Sequence, residues 1–177
     1  MSRPPDWVPS ENIATWIRTR FSYDPSTGNI IDKKSGVIRG IPTDSGYLNI
    51  SLQDVEIGLK RNVKAHRIAW FLHYNEWPTA KLDHKNRVRT DNRIDNLRYA
   101  TAHQNASNAS KHRTHAGRST TSEYKGVCAT RGKWRVSIRV NYKAIHIGYV
   151  DDELEAAKAY AEASLKYHGE RGHIADI

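Results

Sequence analysis

Residues 82–105 read LDHKNRVRTDNRIDNLRYATAHQN and form the most informative stretch of the chain. An apolar segment ends here with Asp83 and His84, which predicts a strand over 79–84 followed by a polar, basic loop over 85–95. Further on, Thr101-Ala-His-Gln104 is a capping box and predicts a helix from about Ala102 to Ser110. A strand, a loop and a helix therefore follow one another closely.

An adjacent carboxylate and imidazole suit the hydrolysis of a phosphodiester. That reaction needs a base to activate water and a cation to neutralise charge on the phosphate and the leaving oxygen. If the strand ends at His84, the side chains of Asp83 and His84 can reach one site. A cation held by one carboxylate binds weakly, so Asn105 in the predicted helix is a candidate second ligand. Asn96 is a candidate to hold the other ring nitrogen of His84.

The chain before this stretch alternates between helical and strand patterns. Ser10 precedes apolar residues at helical spacing, which predicts a short amphipathic helix with a serine N-cap. Residues 23–63 contain short apolar segments broken by the turn signals PSTGN, KKSG and TDSG, which predict a small β-rich unit. Residues 64–77 return to helical spacing until Pro78.

The chain after the stretch begins with a basic segment, SNASKHRTHAGRSTT, that we interpret as a linker. KWRVSIRV and KAIHIGYV then predict two strands joined by a tight connection at Asn141 and Tyr142. ELEAAKAYAEASLKYHG predicts a helix that packs on the sheet. The predicted fold class is α+β: an N-terminal helix and β-rich region (1–63), a ββα core (64–110), a linker (111–121), and a three-stranded antiparallel sheet packed on one helix (122–177).

Positive charge is concentrated in the middle of the chain. The net charge is +9, and residues 61–118 hold twelve basic and four acidic side chains. Clustered positive charge favours a nucleic-acid partner, because neutralising phosphates releases counterions. The single cysteine, Cys128, excludes an intramolecular disulfide. No apolar run is long enough to span a membrane, and MSRPPDWVPSEN lacks the charged start and apolar stretch of a signal peptide, so we expect no membrane partner and a cytoplasmic location.

The spacing of Asp83, His84, Asn96 and Asn105 resembles the HNH (ββα-metal) nuclease motif, in the form found in phage and intron homing endonucleases with asparagine in place of the last histidine. The texture of HRIAWFLHYNEWP and DNLRYATAHQN is similar as well. The resemblance implies that His84 is the general base and that Asn96 orients the site. It also implies that Asp83 and Asn105 bind one divalent ion, Mg²⁺ or Mn²⁺.

The C-terminal part is similar to the ethylene-response-factor (Apetala-type) DNA-binding domain over about 122–169, in YKGVCATRGKWRVSIRV, IHIGYV and EAAKAYAEA. It differs at Cys128 and Thr130, so a base preference cannot be transferred. Strand parity places Trp134 in the core and Arg135 and Arg139 on the open face. The expected DNA contacts are Arg87, Arg89, Arg93 and Arg98 near the site, and Lys125, Arg131, Lys133, Arg135, Arg139 and Lys143 in the C-terminal domain.

Taken together, these patterns predict a metal-dependent DNA endonuclease of the HNH homing type that nicks one strand of double-stranded DNA per active site. Site preference would come from the C-terminal domain. Two alternatives stay open at this point: a non-catalytic, sequence-preferring DNA-binding regulator, and a nonspecific nuclease. No obligatory protein partner is evident, and the sequence leaves open whether the protein is a monomer or a homodimer.

Overall fold

The computed structural model describes residues 7–101, 104, 108, 114–115, 118–119 and 121–169. Over these ranges, helices combine with several small antiparallel sheets, which confirms the predicted α+β class. The chain forms two compact units, Met1–Tyr99 and Ala100–Ile177. Within the described ranges, no helix has both the length and the apolar character that crossing a bilayer requires.

The first unit begins with helix α1 (Glu11–Arg20) and a three-stranded antiparallel sheet. Its strands are β1 (Phe21–Tyr23), β2 (Ile30–Asp32) and β3 (Ile38–Arg39). Ser10 takes the predicted N-cap position of α1, but its side chain makes no capping hydrogen bond. Its backbone oxygen accepts from the N–H of Ala14 at 2.8 Å, so the helix starts without the expected cap.

A second three-stranded antiparallel sheet follows, made of β4 (Ile41–Pro42), β5 (Leu48–Asp54) and β6 (Leu59–Lys64). Strand β6 runs directly into helix α2 (Ala65–Tyr74), which ends at Asn75 in the left-handed conformation with φ of 56°. Asparagine tolerates this conformation at a helix end better than most residues.

The unit closes with a two-stranded ribbon, β7 (Leu82–His84) and β8 (Leu97–Tyr99), with a short 3₁₀ helix (Ile94–Asn96) in front of β8. In the antiparallel register, Asp83 lies opposite Arg98 and His84 opposite Leu97. β7 ends at His84, as the sequence predicts, and the loop 85–93 leads away from it.

One hydrophobic core holds the first unit together. Its large buried side chains come from helices and strands along the unit and include Ile17, Phe21, Ile30, Ile50, Leu52, Ile68 and Phe71. The core includes residues on both sides of the predicted division between 63 and 64, because β6 passes through it into α2. The β-rich region and the start of the predicted nuclease core thus share their packing.

The carboxylate of Asp32 is a second organising centre of this unit. Its side chain is fully buried, and Oδ2 accepts hydrogen bonds from the guanidinium groups of Arg20 (2.8 Å) and Arg39 (2.6 Å). Oδ1 accepts from the backbone N–H groups of Lys34 (3.0 Å) and Ser35 (3.2 Å). Because every side of the carboxylate is hydrogen-bonded, the buried charge is tolerated and the turn between β2 and β3 is fixed.

The second unit contains a two-stranded ribbon and a larger sheet. The ribbon pairs β9 (Thr114–His115) with β10 (Arg118–Ser119), so part of the predicted linker has regular structure. The larger sheet has the order β11 (Val127–Thr130), β12 (Lys133–Val140), β13 (Lys143–Val150), and helix α3 (Glu153–His168) packs on it. The connection between β12 and β13 is the predicted one, with Asn141 and Tyr142 both at positive φ.

The core of this second unit lies between the sheet and α3. It contains Val127, Val136, Ile138, Ala156, Tyr160 and Ala163, and Trp134 packs against it partly buried, as its parity predicts. Gly126 has φ of 74°, and a Cβ at this position would collide with the ring of Tyr160. A side chain at position 126 would therefore separate the helix from the sheet.

Candidate active site

His84 is the centre of the candidate site. Its ring is buried at the end of β7, and Nε2 lies 3.2 Å from Oδ1 of Asn92 in the following loop. The ring centroid is 5.1 Å from that of His66 on α2 and 5.8 Å from that of Tyr47, which precedes β5. Three segments distant in sequence therefore surround one imidazole.

Burial controls the protonation of this imidazole. Desolvation lowers the pKa of His84 below its ordinary value, and the charge of Arg89 acts in the same direction. The hydrogen bond to Asn92 and the charges of Asp83 and Asp91 oppose the shift without cancelling it. His84 is therefore neutral at neutral pH, which is the state that a general base needs. With Nε2–H donating to Asn92, the basic lone pair of the neutral ring is on Nδ1.

Asp83 forms an ion pair across the ribbon. Its Oδ2 accepts from Nε (3.1 Å) and Nη2 (3.0 Å) of Arg98, and both side chains are largely buried. The antiparallel register produces this pair, because the two residues lie directly opposite each other on β7 and β8. Arg98, expected from the sequence to contact DNA, is thus bound to the predicted metal ligand.

Asn96 organises the loop between β7 and β8. Its Oδ1 accepts from the backbone N–H of Asn86 (2.9 Å), and its Nδ2 donates to the carbonyl of Asp91 (2.7 Å). The side chain is buried, so these two bonds join the start and the end of the loop away from solvent. Asn96 thereby fixes the loop that carries Asn92. The side chain that contacts the ring of His84 belongs to Asn92.

Asp91 completes the loop. Its carboxylate accepts from Nδ2 of Asn86 at 2.7 Å and from the guanidinium of Arg93 at 2.6 Å and 2.9 Å. These bonds, chiefly those from Arg93, hold the pKa of Asp91 down to about 2. Arg87 adopts a positive φ of 66° in the same loop. Two of the predicted DNA contacts, Arg87 and Arg93, therefore belong to a tightly hydrogen-bonded loop.

Two cations flank the aromatic side of the site. Nζ of Lys64 lies 3.5 Å from the ring centroid of Tyr47, and Cζ of Arg89 lies 5.0 Å from the same centroid. Arg89 also donates from Nη1 to the carbonyl of Ser45 at 2.7 Å, which ties the loop to the turn before β5. Arg89 is a predicted DNA contact, whereas sequence reasoning missed the roles of Tyr47 and Asn92.

A sequence signal existed for only one of these two residues. Asn92 belongs to the run of asparagines between 86 and 105, and that run could have nominated it. Tyr47 carries no such signal, because it reaches His84 through the pairing of β5 with β6 and the packing of α2.

The described residues include one of the two predicted metal ligands, Asp83. Among these residues, no group of three or more His, Cys, Asp or Glu side chains could hold a metal ion. Asp83 offers hard oxygen donors beside a neutral imidazole, and Mg²⁺ commonly binds through one or two carboxylates with water and phosphate completing its shell. The donor chemistry at Asp83 therefore fits a hard divalent ion.

The second predicted metal ligand, Asn105, lies outside the described residues. The capping box in front of it forms as predicted: the N–H of Thr101 donates to Oε1 of Gln104 at 2.8 Å, and the N–H of Gln104 donates to Oγ1 of Thr101 at 3.2 Å. Gln104 and Asn108 are helical. The start of the predicted helix is thus confirmed, and the role of Asn105 stays a prediction.

The predicted DNA contacts of the second unit lie at or near the surface of the sheet. Arg135 and Arg139 are exposed on β12, opposite in parity to the buried Val136 and Ile138. The remaining four lie at strand ends and turns, three of them exposed and Lys125 partly buried: Lys125, Arg131, Lys133 and Lys143. Lys133 pairs with Asp151 at 3.2 Å, and both side chains are exposed, so this pair adds little stability.

One family model matches the segment of the chain that contains this site. Residues 63–107 match the model of the HNH endonuclease family, a segment that includes α2, the β7–β8 ribbon and the capping box. This match confirms the predicted HNH motif within residues 63–107. No match was found among curated proteins.

Among solved structures, the chain is similar to the HNH homing endonuclease I-HmuI, solved in a study of its DNA binding and cleavage. The sequences are 24% identical, the alignment covers 49% of each chain, and the TM-score is 0.40. The aligned part thus spans about half the length of that protein.

Proposed function

We propose that the protein is a metal-dependent DNA endonuclease of the HNH homing type, which hydrolyses a phosphodiester in double-stranded DNA in the cytoplasm of a host cell. One observation carries the proposal: within the segment that matches the HNH endonuclease family, His84 is buried and hydrogen-bonded at one ring nitrogen, next to Asp83. Such an imidazole is prepared to accept one proton in a fixed direction.

His84 acts as the general base in this proposal. Its Nε2–H donates to Asn92, so Nδ1 takes the proton from the attacking water. The low pKa of His84 keeps the ring unprotonated before the reaction. Asn96 contributes indirectly, since it closes the loop that carries Asn92.

Asp83 and Asn105 would hold one Mg²⁺ or Mn²⁺ ion. HNH nucleases generally use a divalent metal ion, and the carboxylate of Asp83 is a donor that either ion accepts. When bound, such an ion supplies positive charge to the phosphate and to the leaving oxygen. Asp83 must share its carboxylate with Arg98 in this state, because the two are already paired.

Lys64 and Arg89 are suited to hold the DNA strand beside the base. Both carry their charge against the ring of Tyr47, and the side chains of both residues are exposed. Contacts of this kind supply affinity and register without reading sequence. Site preference would come from the exposed face of β12, where Arg135 and Arg139 could reach base edges. A single site of this kind cuts one strand, so a monomer is expected to nick.

A second candidate is a DNA-binding regulator without catalysis. The ion pair between Asp83 and Arg98 favours it, because an arginine already neutralises the carboxylate that a metal would need. In a regulator the ribbon would serve as structure only. This candidate predicts tight duplex binding with no cleavage at any concentration of Mg²⁺ or Mn²⁺.

The experiment that separates the two follows supercoiled plasmid with purified protein and Mg²⁺ or Mn²⁺, with and without a chelator. The nuclease proposal requires metal-dependent conversion to open circles, and its loss in His84→Ala. His73→Ala is the matched control, because His73 is an exposed histidine on α2. Unchanged nicking by His84→Ala would show that the base is assigned to the wrong residue, and no nicking by the parent would favour the regulator.

A further inference from the structure

The connection between β1 and β2 contacts the loop between β7 and β8, whose Asn92 is hydrogen-bonded to His84. The hydroxyl of Tyr23 donates to the carbonyl of Asn92 at 2.8 Å. The N–H of Ile94 points to the carbonyl of Pro25 at a longer 3.4 Å. These contacts join a hairpin near the N-terminus to residues about seventy positions later, on the loop between β7 and β8.

Gly28 makes the closest approach. A Cβ built on Gly28 would lie 2.6 Å from the backbone nitrogen of Arg93 and 2.7 Å from the backbone carbon of Asn92. The atoms in the way are backbone, which cannot rotate aside as a side chain can. The φ of Gly28 is 78°, so the position also needs the conformational freedom of glycine.

The hairpin is internally rigid, so it can act as a support. The carboxylate of Asp24 accepts from the N–H (2.9 Å) and hydroxyl (2.7 Å) of Ser26 and from the hydroxyl of Thr27 (2.8 Å). The N–H of Gly28 donates to the carbonyl of Asp24 at 2.8 Å. These bonds, led by those from Ser26, hold the pKa of Asp24 down to about 2, so the support is in place at neutral pH.

We propose that Tyr23 and Gly28 are positioning residues of the active site, which hold the backbone of Asn92 so that its side-chain oxygen stays on Nε2 of His84. Asn92 as a whole residue is only 2% exposed, so the direction of its side chain is set by where its backbone lies. The hydroxyl of Tyr23 fixes the carbonyl of Asn92, and the surface of Gly28 fixes the peptide that follows. A shift of that backbone moves the oxygen away from the imidazole and releases its tautomer.

This inference rests on the proposed function, since it assigns a role in orienting the proposed base. A positioning role and a purely structural role make different predictions for the imidazole ring of His84. A structural brace would change stability and leave His84 unaltered. A positioning role changes the tautomer of His84 and the turnover number while substrate affinity stays close to that of the parent.

The chain offers a matched control for the test. Gly36, in the turn between β2 and β3, has φ of 70°, and no atom lies within 4 Å of a Cβ built on it. Gly36→Ala therefore carries the same kind of backbone strain as Gly28→Ala without the collision. Tyr23→Phe is a second, milder variant, because it keeps the ring and removes only the hydroxyl that reaches Asn92.

The experiment compares the parent, Gly28→Ala, Gly36→Ala and Tyr23→Phe by long-range ¹H–¹⁵N NMR of the His84 ring and by kcat and KM for plasmid nicking. We expect the Nε2–H tautomer in the parent and in Gly36→Ala. In Gly28→Ala we expect a mixture of tautomers and a loss in kcat of about tenfold or more, with KM little changed. Tyr23→Phe should shift the tautomer mixture and lower kcat in the same direction as Gly28→Ala, by a smaller factor.

The inference is overturned if Gly28→Ala and Tyr23→Phe keep the parental tautomer, or if Gly36→Ala changes it equally. Should Gly28→Ala fail to fold, Tyr23→Phe decides the question alone. The NMR measurement does not depend on cleavage. If the parent never nicks, the proposed function is wrong. The tautomer comparison would still show whether the hairpin holds Asn92 in place.

Discussion

Arg98 binds Asp83 side-on, with Nε at 3.1 Å and Nη2 at 3.0 Å from the same carboxylate oxygen, across the two strands that form the site. A guanidinium in this position both fixes the carboxylate and competes with any cation for it. The pair is therefore the point where the nuclease and the regulator make opposite predictions.

Replacing Arg98 with methionine should strengthen metal binding if Asp83 is a ligand. Hydrogen bonds to a charged group contribute about 1.5 kcal/mol or more, so removing those from Arg98 should lower the dissociation constant for Mn²⁺ by roughly tenfold. Titration calorimetry or the electron paramagnetic resonance of Mn²⁺ measures this. Arg93→Met is the control, because Arg93 pairs with Asp91 in the loop. Equal Mn²⁺ affinity in the parent and in Arg98→Met would argue that Asp83 binds no metal.

His66 gives the protein a stability that depends on pH. Burial, helped by the nearby charges of His84, Lys64 and Arg67, lowers the pKa of His66 well below its ordinary value of 6.5. Below pH 6.5 the unfolded chain binds a proton at His66 that the folded protein does not bind. The free energy of unfolding should therefore fall as pH decreases from 6.5, by up to about 1.4 kcal/mol per pH unit for this group.

The measurement is urea unfolding at pH 7.5 and pH 5.5 for the parent and for His66→Phe. The variant should lose less stability between the two pH values, because one of the buried imidazoles has been removed. His73→Phe, at an exposed position, should keep the parental difference. If His66→Phe also kept the parental difference in the free energy of unfolding, the buried imidazole of His66 would not be the source of the acid sensitivity.

Asp32 should be among the most sensitive positions for stability in the first unit. Asp32→Asn keeps the size of the side chain but leaves Arg20 and Arg39 without their shared carboxylate. Hydrogen bonds to a charged group contribute about 1.5–3 kcal/mol, and because Arg20 and Arg39 are partly exposed to solvent, we expect a loss of about 2 kcal/mol in urea unfolding. Asp44→Asn, at an exposed turn, should change the free energy of unfolding by less than about 0.5 kcal/mol. Similar losses in the two variants would contradict the role given to Asp32.

Local signals in the sequence predicted the parts of the site that depend on neighbours along the chain. The strand ends at His84, the capping box of Thr101 and Gln104 forms, and the hairpin turns at Asn141 and Tyr142, because each is specified within a few residues. The mixed α+β class followed from the same signals.

Parts of the site that depend on loop closure and register could not be predicted. Asn92 reaches His84 only after the loop between β7 and β8 is closed by Asn96, and Tyr47 arrives through the packing of another sheet. The partner of Asp83 is set by the register that places Arg98 opposite it. Arginines near a site look alike in sequence, whereas their partners are determined by contacts between distant segments.

Arg139 tests the assignment of the C-terminal sheet. Its side chain is exposed on β12, so Arg139→Ala should leave the fold intact and remove one contact to DNA. We expect weaker duplex binding and, if the contact is to a phosphate, a salt dependence of the binding constant reduced by about one unit of slope. The turnover number on saturating plasmid should stay parental, since Arg139 takes no part in the chemistry. Lys158→Ala, an exposed change of the same charge on α3, should leave affinity and salt dependence unchanged. Affinity equal to that of the parent in Arg139→Ala would remove this face of the sheet from the DNA interface.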